Sequence, residues 1–549
     1  MIILELIIFL VSIAVLSISI SGYGSLLSLS IKTNFFLNIF IGFIIITFIV
    51  TLIHFFLKID LIISQIILIL GLIIFFKKKN IKLLKLYNLR NISYLIIVFC
   101  LIPMFFSQKY HEDFGYYHLP YALSFIEEKI IFGFANIDQS YVYNSIWLNI
   151  SSLFFLNDKN FNFLTLPGYI LFLSFILFSI NQIISKKKIS LSDFYLVTLI
   201  FYLILKFTRI SEFGVDLPAI IFSVLGIYYF FNFLETNLIE EKKTYFFLTL
   251  IFSIFSILIK LSTLPIILLS LYLYFKHFKD LKFSLIDLKF IFILILSTIF
   301  FIQQFIYTGC FIFPTNSTCL NVNWFNPDYL NLSKNIELIN KSYSLARDIY
   351  LPEDYLSNFT WFSFWIKRNF TEILEHLMTM ILPLLLFILV LKKRKKNYLV
   401  LQNKLTLYTF IFLSLLFWLS YSPVFRFATH IFITLVFLFF SSILISKEFS
   451  KKKFLIFISV FLIFNFSKNI LRITNTENLF LGIQKIENDY VLNNKISNKY
   501  ANIYYPDVKK NKKNGWQGRL CWNTPFICSY NKLDVSKKKG YLVVKILKN

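Results

Sequence analysis

Ser93-Tyr94-Leu95-Ile96-Ile97-Val98-Phe99-Cys100-Leu101-Ile102-Pro103-Met104-Phe105-Phe106 is an apolar run without a charge. Shortly after it the chain reads His111-Glu112-Asp113-Phe114-Gly115-Tyr116-Tyr117-His118-Leu119-Pro120. The first stretch reads as a membrane helix and the second as a polar cluster at its end. Carboxylates beside a bilayer lose solvation, so two adjacent acids there mark a functional-site hypothesis rather than a neutral loop.

The same alternation runs through the chain. Hydrophobic residues make up 57% of it, aromatic residues 19% and charged residues only 15%; the mean hydropathy is +0.71. The apolar residues form repeated runs long enough for ~30 Å of hydrocarbon, the pattern of a polytopic all-α membrane protein. About fourteen spans are predicted, at 2–21, 34–57, 59–76, 91–106, 162–184, 192–206, 217–235, 245–259, 263–276, 286–306, 376–392, 404–420, 427–446 and 454–469. The pair 245–276 also reads as a tilted or re-entrant hairpin. Residues 1–20 lack a basic leader and a small-residue cleavage site, so they read as a retained helix. Three regions follow: an N-terminal transmembrane module (1–90), a transmembrane core (91–469) and a C-terminal tail (470–549).

The net charge of +26 does not indicate nucleic acid, because the lysines sit in short clusters between apolar runs. Such clusters lie at Lys77 to Lys79, Lys186 to Lys188, Lys242-Lys243, Lys276 to Lys282, Lys392 to Lys396 and Lys447 to Lys453. Placing each in the cytoplasm puts 107–161, 207–216, 307–375, 421–426 and 470–549 on the external side. The lysine-rich tail runs against a simple charge rule, but long terminal segments translocate largely regardless of charge.

The cysteines agree with this topology. Cys100 falls within a span and reads as a packed thiol. Cys310/Cys319 and Cys521/Cys528 are close pairs in segments assigned outside, which read as disulfides in an oxidising compartment. Zinc would need CxxC spacing or nearby histidines that neither segment offers, and free thiols are the remaining alternative.

The external segments hold most of the unusual polar groups: Glu112, Asp113, Tyr117 and His118 in the first loop, Asp216, Lys260, and Arg426. Segments 119–131 and 141–156 are amphipathic and predict helices lying in the membrane interface. Bland readings stand beside each functional one. Lys260 and Arg426 read equally as snorkelling cations, Asp216 as a helix N-terminal residue, and Trp361 and Trp365 as interfacial belt anchors. Together, carboxylates, cations and aromatic surfaces at a membrane edge suit group transfer from an anionic, lipid-linked donor. A carboxylate takes the proton of an attacking hydroxyl, and cations stabilise a departing phosphate.

The acid pair Glu112-Asp113 in a first large external loop resembles the GT-C superfamily of polyprenyl-phosphate-sugar-dependent membrane glycosyltransferases. More closely, several motifs resemble a group of bacterial multispanning GT-C-like proteins: Asp113-x-x-x-Tyr117-His118-Leu119-Pro120, Gly133-Phe134-Ala135-Asn136, Asn144-Ser145-x-Trp147, Gly214 to Pro218, Gly309-Cys310 to Pro314 with Trp324, Pro423 to Phe427, and Cys521-Trp522 to Cys528. The resemblance implies a GT-C-like fold in a bacterial inner membrane, with its active face and C-terminus periplasmic. It also implies an inverting transfer of sugar from a polyprenyl-phosphate carrier to a glycan, lipid or protein acceptor. Asp113 is the expected base, with Glu112 in reserve. Tyr117 and His118 would shape the site, Lys260 and Arg426 would hold the phosphate, and Asp216 would orient the acceptor or one of those cations. A divalent cation, used by some relatives, has no assigned ligands. Three spans precede that of the loop acid where many GT-C enzymes have none. A transporter or flippase would want mid-span charges and an internal repeat, which are weak here. A surface-polysaccharide polymerase or ligase would rely on arginine or histidine rather than an acid.

Overall fold

In a computed structural model, the structure describes residues 2–27, 29, 31, 34–78, 89–106, 113–156, 161–186, 189–206, 214–281, 287–357, 359–393, 404–475, 495–506, 520–522 and 524–547. Helices occupy all fourteen apolar runs. In order they are α1 (Ile2–Gly24), α2 (Phe35–His54), α3 (Leu61–Lys77) and α4 (Leu89–Phe106), then the short α5 (Leu119–Glu127) and α6 (Ile146–Ser151). The core continues with α7 (Leu166–Ser185), α8 (Leu191–Lys206), α9 (Asp216–Glu235), α10 (Ile239–Ile259), α11 (Ile267–Lys276), α12 (Phe278–Leu281) and α13 (Leu288–Thr308). After α14 (Asp328–Asn340) and α15 (Pro352–Ser357) come α16 (Trp361–Val390), α17 (Lys404–Tyr421), α18 (Thr429–Ile445) and α19 (Lys451–Asn475). Among the described residues, eight helices are long and apolar enough to cross a membrane. The protein is a multi-pass membrane protein.

Two spans depart from the hydropathy reading. Helix α16 begins at Trp361, inside what was expected to be a loop. Lys367, Arg368, Glu372 and Glu375 lower local hydropathy without disfavouring the helix, since all four are good helix formers. The 245–276 pair is unequal: α10 is a full-length helix, whereas α11 has only ten residues. Pro265 lies in the 3-10 turn Leu261–Ile266 that separates them.

Small residues set the closest approaches. A Cβ on Gly22 would collide with the Gly71 carbonyl, and one on Gly42 with that of Ile20, so α1 packs backbone to backbone on α3 and α2. Phe9 of α1 also meets Phe105 (4.6 Å between centroids) and Tyr169 (5.8 Å), which joins the N-terminal helices to the core.

Helices α5 and α6 form where sequence placed interfacial helices, but they do not lie on a surface. Residues 119–126 and 146–155 are buried, and Trp147 packs on Phe43 in the middle of α2 (5.2 Å). A polar network holds them there. Tyr121 OH donates to Asn149 Oδ1 (2.7 Å), and Asn149 Nδ2 donates to Thr51 Oγ1 (2.8 Å) and Gln303 Oε1 (3.0 Å). In a low-dielectric interior such side-chain bonds replace the missing water.

The two ends of the bundle differ. At one, β1 (Lys392–Lys393) pairs antiparallel with β2 (Lys447–Glu448), Lys451 Nζ donates to Ile184 O (2.6 Å), and Asp193 binds Lys186 (2.7 Å). At the other end the first loop, the 309–357 segment and the tail pack together. The tail contains two antiparallel hairpins, β3 (Lys495–Ser497) with β4 (Asn502–Tyr504), and β5 (Leu533–Lys538) with β6 (Tyr541–Ile546). Asn136 Nδ2 donates to Trp324 O and Val544 O (both 2.9 Å), so one side chain ties all three segments. Both cysteine pairs form disulfides here, Cys310–Cys319 and Cys521–Cys528, while Cys100 is free and half-buried.

Candidate functional site

Asp113 stands at the mouth of a π-helical turn, Phe114–His118, that runs straight into α5. Pro120 at the start of α5 has no N–H to donate, and a widened turn accommodates it. Single π turns recur at functional sites because they re-aim side chains. His118 is buried and meets the Tyr117 ring edge-on (4.3 Å). Glu112 lies outside the described residues.

The chain brings Asp216, Lys260 and Arg426 to the same end. Asp216 opens α9, where a carboxylate also favours the helix dipole. Lys260 sits at the break after α10 in extended conformation (φ −153°, ψ 117°), with Thr263 N–H and Oγ1 both bonded to its carbonyl. Arg426 occupies the 3-10 turn Phe425–Phe427. Two indoles fix the segment leading into that turn: Trp365 Nε1 donates to Pro423 O (2.6 Å) and Trp418 Nε1 to Val424 O (2.9 Å). Trp361 and Trp365 are accordingly buried packing residues, not belt anchors at the lipid interface.

Lys260 Nζ donates to Asp216 Oδ1, and Arg426 Nε lies 3.4 Å from Asp216 Oδ2. The Phe427 ring underlies both cations, with Lys260 Nζ 3.2 Å and Arg426 Cζ 5.4 Å from its centroid. These contacts replace the snorkelling reading of either cation. Asp113 is within electrostatic reach of Lys260, and His118 of Asp216. Tyr117 registers three of these charges: burial pushes its phenol above the usual tyrosine range, Asp113 and Asp216 push it further, and Arg426 opposes them. Of the residues singled out from sequence, six therefore share one neighbourhood: Asp113, Tyr117, His118, Asp216, Lys260 and Arg426. Their side chains supply two carboxylates, two cations and two aromatic rings. The Arg426 side chain is 42% exposed, against 24% for Asp216 and 17% for Lys260, so it faces most directly outward.

Sequence reasoning passed over Asp138. It is 4% exposed and caps the turn 139–142 through Ser140 N–H (2.7 Å). Burial holds its carboxyl above the ordinary range, while hydrogen bonds from Ser140 and Tyr116 pull the other way. It is also within electrostatic reach of Tyr117. The spacing Asp138-x-Ser140 was the available signal, and it reads as an ordinary cap. His376 was passed over too: its ring stacks on Phe425 (4.6 Å) and bonds Tyr202 OH (2.9 Å).

Among the described residues, no group of three or more His, Cys, Asp or Glu side chains is placed to hold a metal ion. Asp216, the carboxylate at the centre of the cluster, is already shared by two cations. Among the described residues, that carboxylate is engaged by the two cations rather than open to a divalent ion.

Fold and cluster define a multi-pass helical membrane protein with a paired-charge site at one end of its bundle. Residues 1–433 match the family described as a domain of unknown function (DUF8201), and the chain belongs to that family. No curated protein and no solved structure matches it.

Proposed function

We propose that this chain is an inverting integral-membrane glycosyltransferase of the GT-C kind. It moves a sugar from a polyprenyl-phosphate donor to a glycan, lipid or protein acceptor of the cell envelope, on the periplasmic face of a bacterial inner membrane. The observation that supports this reading is the sharing of Asp216 by Lys260 and Arg426 beside the turn that bears Asp113.

The chemistry follows from those groups. An acceptor hydroxyl gives its proton to the Asp113 carboxylate as its oxygen bonds to the anomeric carbon. The bond from that carbon to the carrier phosphate breaks, and its electron pair leaves with the phosphate. Lys260 and Arg426 stabilise that charge, and Asp216 keeps both cations oriented before the donor arrives. Helices α11 and α17 flank an apolar groove of about 310 Å³, lined by Leu268, Leu269, Tyr272, Phe410 and Leu413, which suits part of a prenyl chain.

Purified protein in proteoliposomes, supplied with polyprenyl-phosphate sugar and extracted envelope acceptors, tests the reading. Asp113→Asn should lower product formation by about 100-fold or more and leave the donor unused, with an unchanged thermal midpoint. Wild-type product from that variant removes Asp113 as base.

A further inference from the structure

The turn that carries Asp113 is held by a residue beyond the part of the chain matched by the family. Trp522 lies in the disulfide-closed loop of the tail and is 1% exposed. Its backbone N–H donates to Gly115 O (2.8 Å), and its ring meets Phe114 edge-on (5.9 Å, 71°). The indole fills the space over Gly115 so fully that a Cβ there would stand 2.5 Å from Trp522 Cε2. Trp522 has φ +44°, a left-handed conformation that a bulky residue adopts only where its surroundings impose it.

A second grip lies beside the first. The Tyr530 ring packs on Tyr116 (5.1 Å), and its hydroxyl accepts from Cys521 N–H (3.1 Å). Ser529 Oγ donates to Ile137 O (2.7 Å) and Asn531 Nδ2 to Asn136 O (3.1 Å), which fastens the far limb of the loop. The tail is anchored elsewhere as well: at the edge of β6, Phe132 N–H donates to Leu542 O (3.0 Å) and Phe132 O accepts from Val544 N–H (2.9 Å). The indole is therefore not needed to keep the tail in place. Its ring meets Phe114 and Gly115, the two residues that follow Asp113.

We propose that Trp522 is a positioning residue, wedged by the Cys521–Cys528 loop against Gly115 so that Asp113 is fixed relative to Lys260 and Asp216. Its effect on turnover rests on the reading of Asp113 as base; its effect on the turn does not.

Hydrogen exchange of the full-length protein in nanodiscs tests the structural part. In Trp522→Ala, amides of 114–118 should exchange about tenfold faster, with α9, α10 and the β5–β6 hairpin at wild-type rates. Gly115→Ala should loosen the same amides, and combining it with Trp522→Ala should add nothing, because the added methyl no longer meets an indole. Trp522→Phe should restore most of the protection. Wild-type exchange at 114–118 in Trp522→Ala overturns the proposal, and so does equal loosening of the β5–β6 hairpin. In the transfer assay, Trp522→Ala should lower kcat with KM unchanged. A loosened turn with undiminished transfer would uphold the positioning and dismiss Asp113 as base.

Discussion

Arg426 Nε lies 3.4 Å from Asp216 Oδ2, although Arg426 comes from a 3-10 turn and Asp216 from the start of a distant helix. The other oxygen of the same carboxylate is taken by Lys260. Asp216 is thus a counter-ion shared by two cations, with the Asp113 carboxylate also within electrostatic reach of Lys260. Removing a shared partner strands two charges, whereas removing either cation strands none. Asp216→Asn should therefore destabilise the protein by about 1–2 kcal/mol, more than Lys260→Met or Arg426→Gln. Thermal unfolding in detergent checks the ranking, and equal losses from all three variants would refute the shared-counter-ion account.

Lys260 separates stability from catalysis. Lys260→Met keeps the length of the side chain over Phe427 and leaves Asp216 paired with Arg426. The charge offered to a departing phosphate is halved. Transfer should fall by about 100-fold while the melting midpoint moves little. A variant that transfers sugar at the wild-type rate would take Lys260 out of phosphate stabilisation.

Asp138 gives the first loop a pH dependence of defined sign. Burial raises its carboxyl above the ordinary value of 3.8. The folded loop then keeps a proton that the unfolded chain has released, so loop stability declines as pH rises from about that value through the raised one, and is level beyond it. Asp138→Asn retains an acceptor for Ser140 N–H but does not titrate. The gap between wild-type and variant melting midpoints should change across this window; a constant gap from pH 4 to pH 8 would show that Asp138 titrates normally.

What was legible in the sequence follows from what a local pattern encodes. Apolar runs locate helices because a membrane leaves the backbone no other partner; all fourteen runs are helical, and eight of the described helices are long and apolar enough to cross a membrane. The start of α16 was not, because Lys367, Arg368, Glu372 and Glu375 make a helix look like a loop to any hydropathy window. Asp216, Lys260 and Arg426 stood out one at a time as charges at span ends. Their joining through one carboxylate depends on how α9, α10 and the turn before α18 converge, which no local pattern records. The burial of α5 and α6 was hidden for the same reason. An amphipathic segment looks alike whether its polar face meets headgroups or, as at Asn149, other buried amides.

That buried face supplies the sharpest test of the packing. Asn149 is fully buried and accepts from Tyr121 OH while donating to Thr51 and Gln303. Gln303 in turn donates to Tyr307 OH (3.0 Å). Asn149→Leu removes no charge and keeps the branched shape, yet it takes one of two partners from the Tyr121 hydroxyl and from the Gln303 carbonyl, leaving each to Asn144 (3.0 and 3.2 Å). The expected loss is about 1–2 kcal/mol, above that of a lipid-facing polar substitution. Gln303→Leu alone should cost a similar amount, and the double variant clearly less than the sum, since each change strands groups that the other removes. Strict additivity in a double-mutant cycle would mean that α6 is held by its apolar contacts alone.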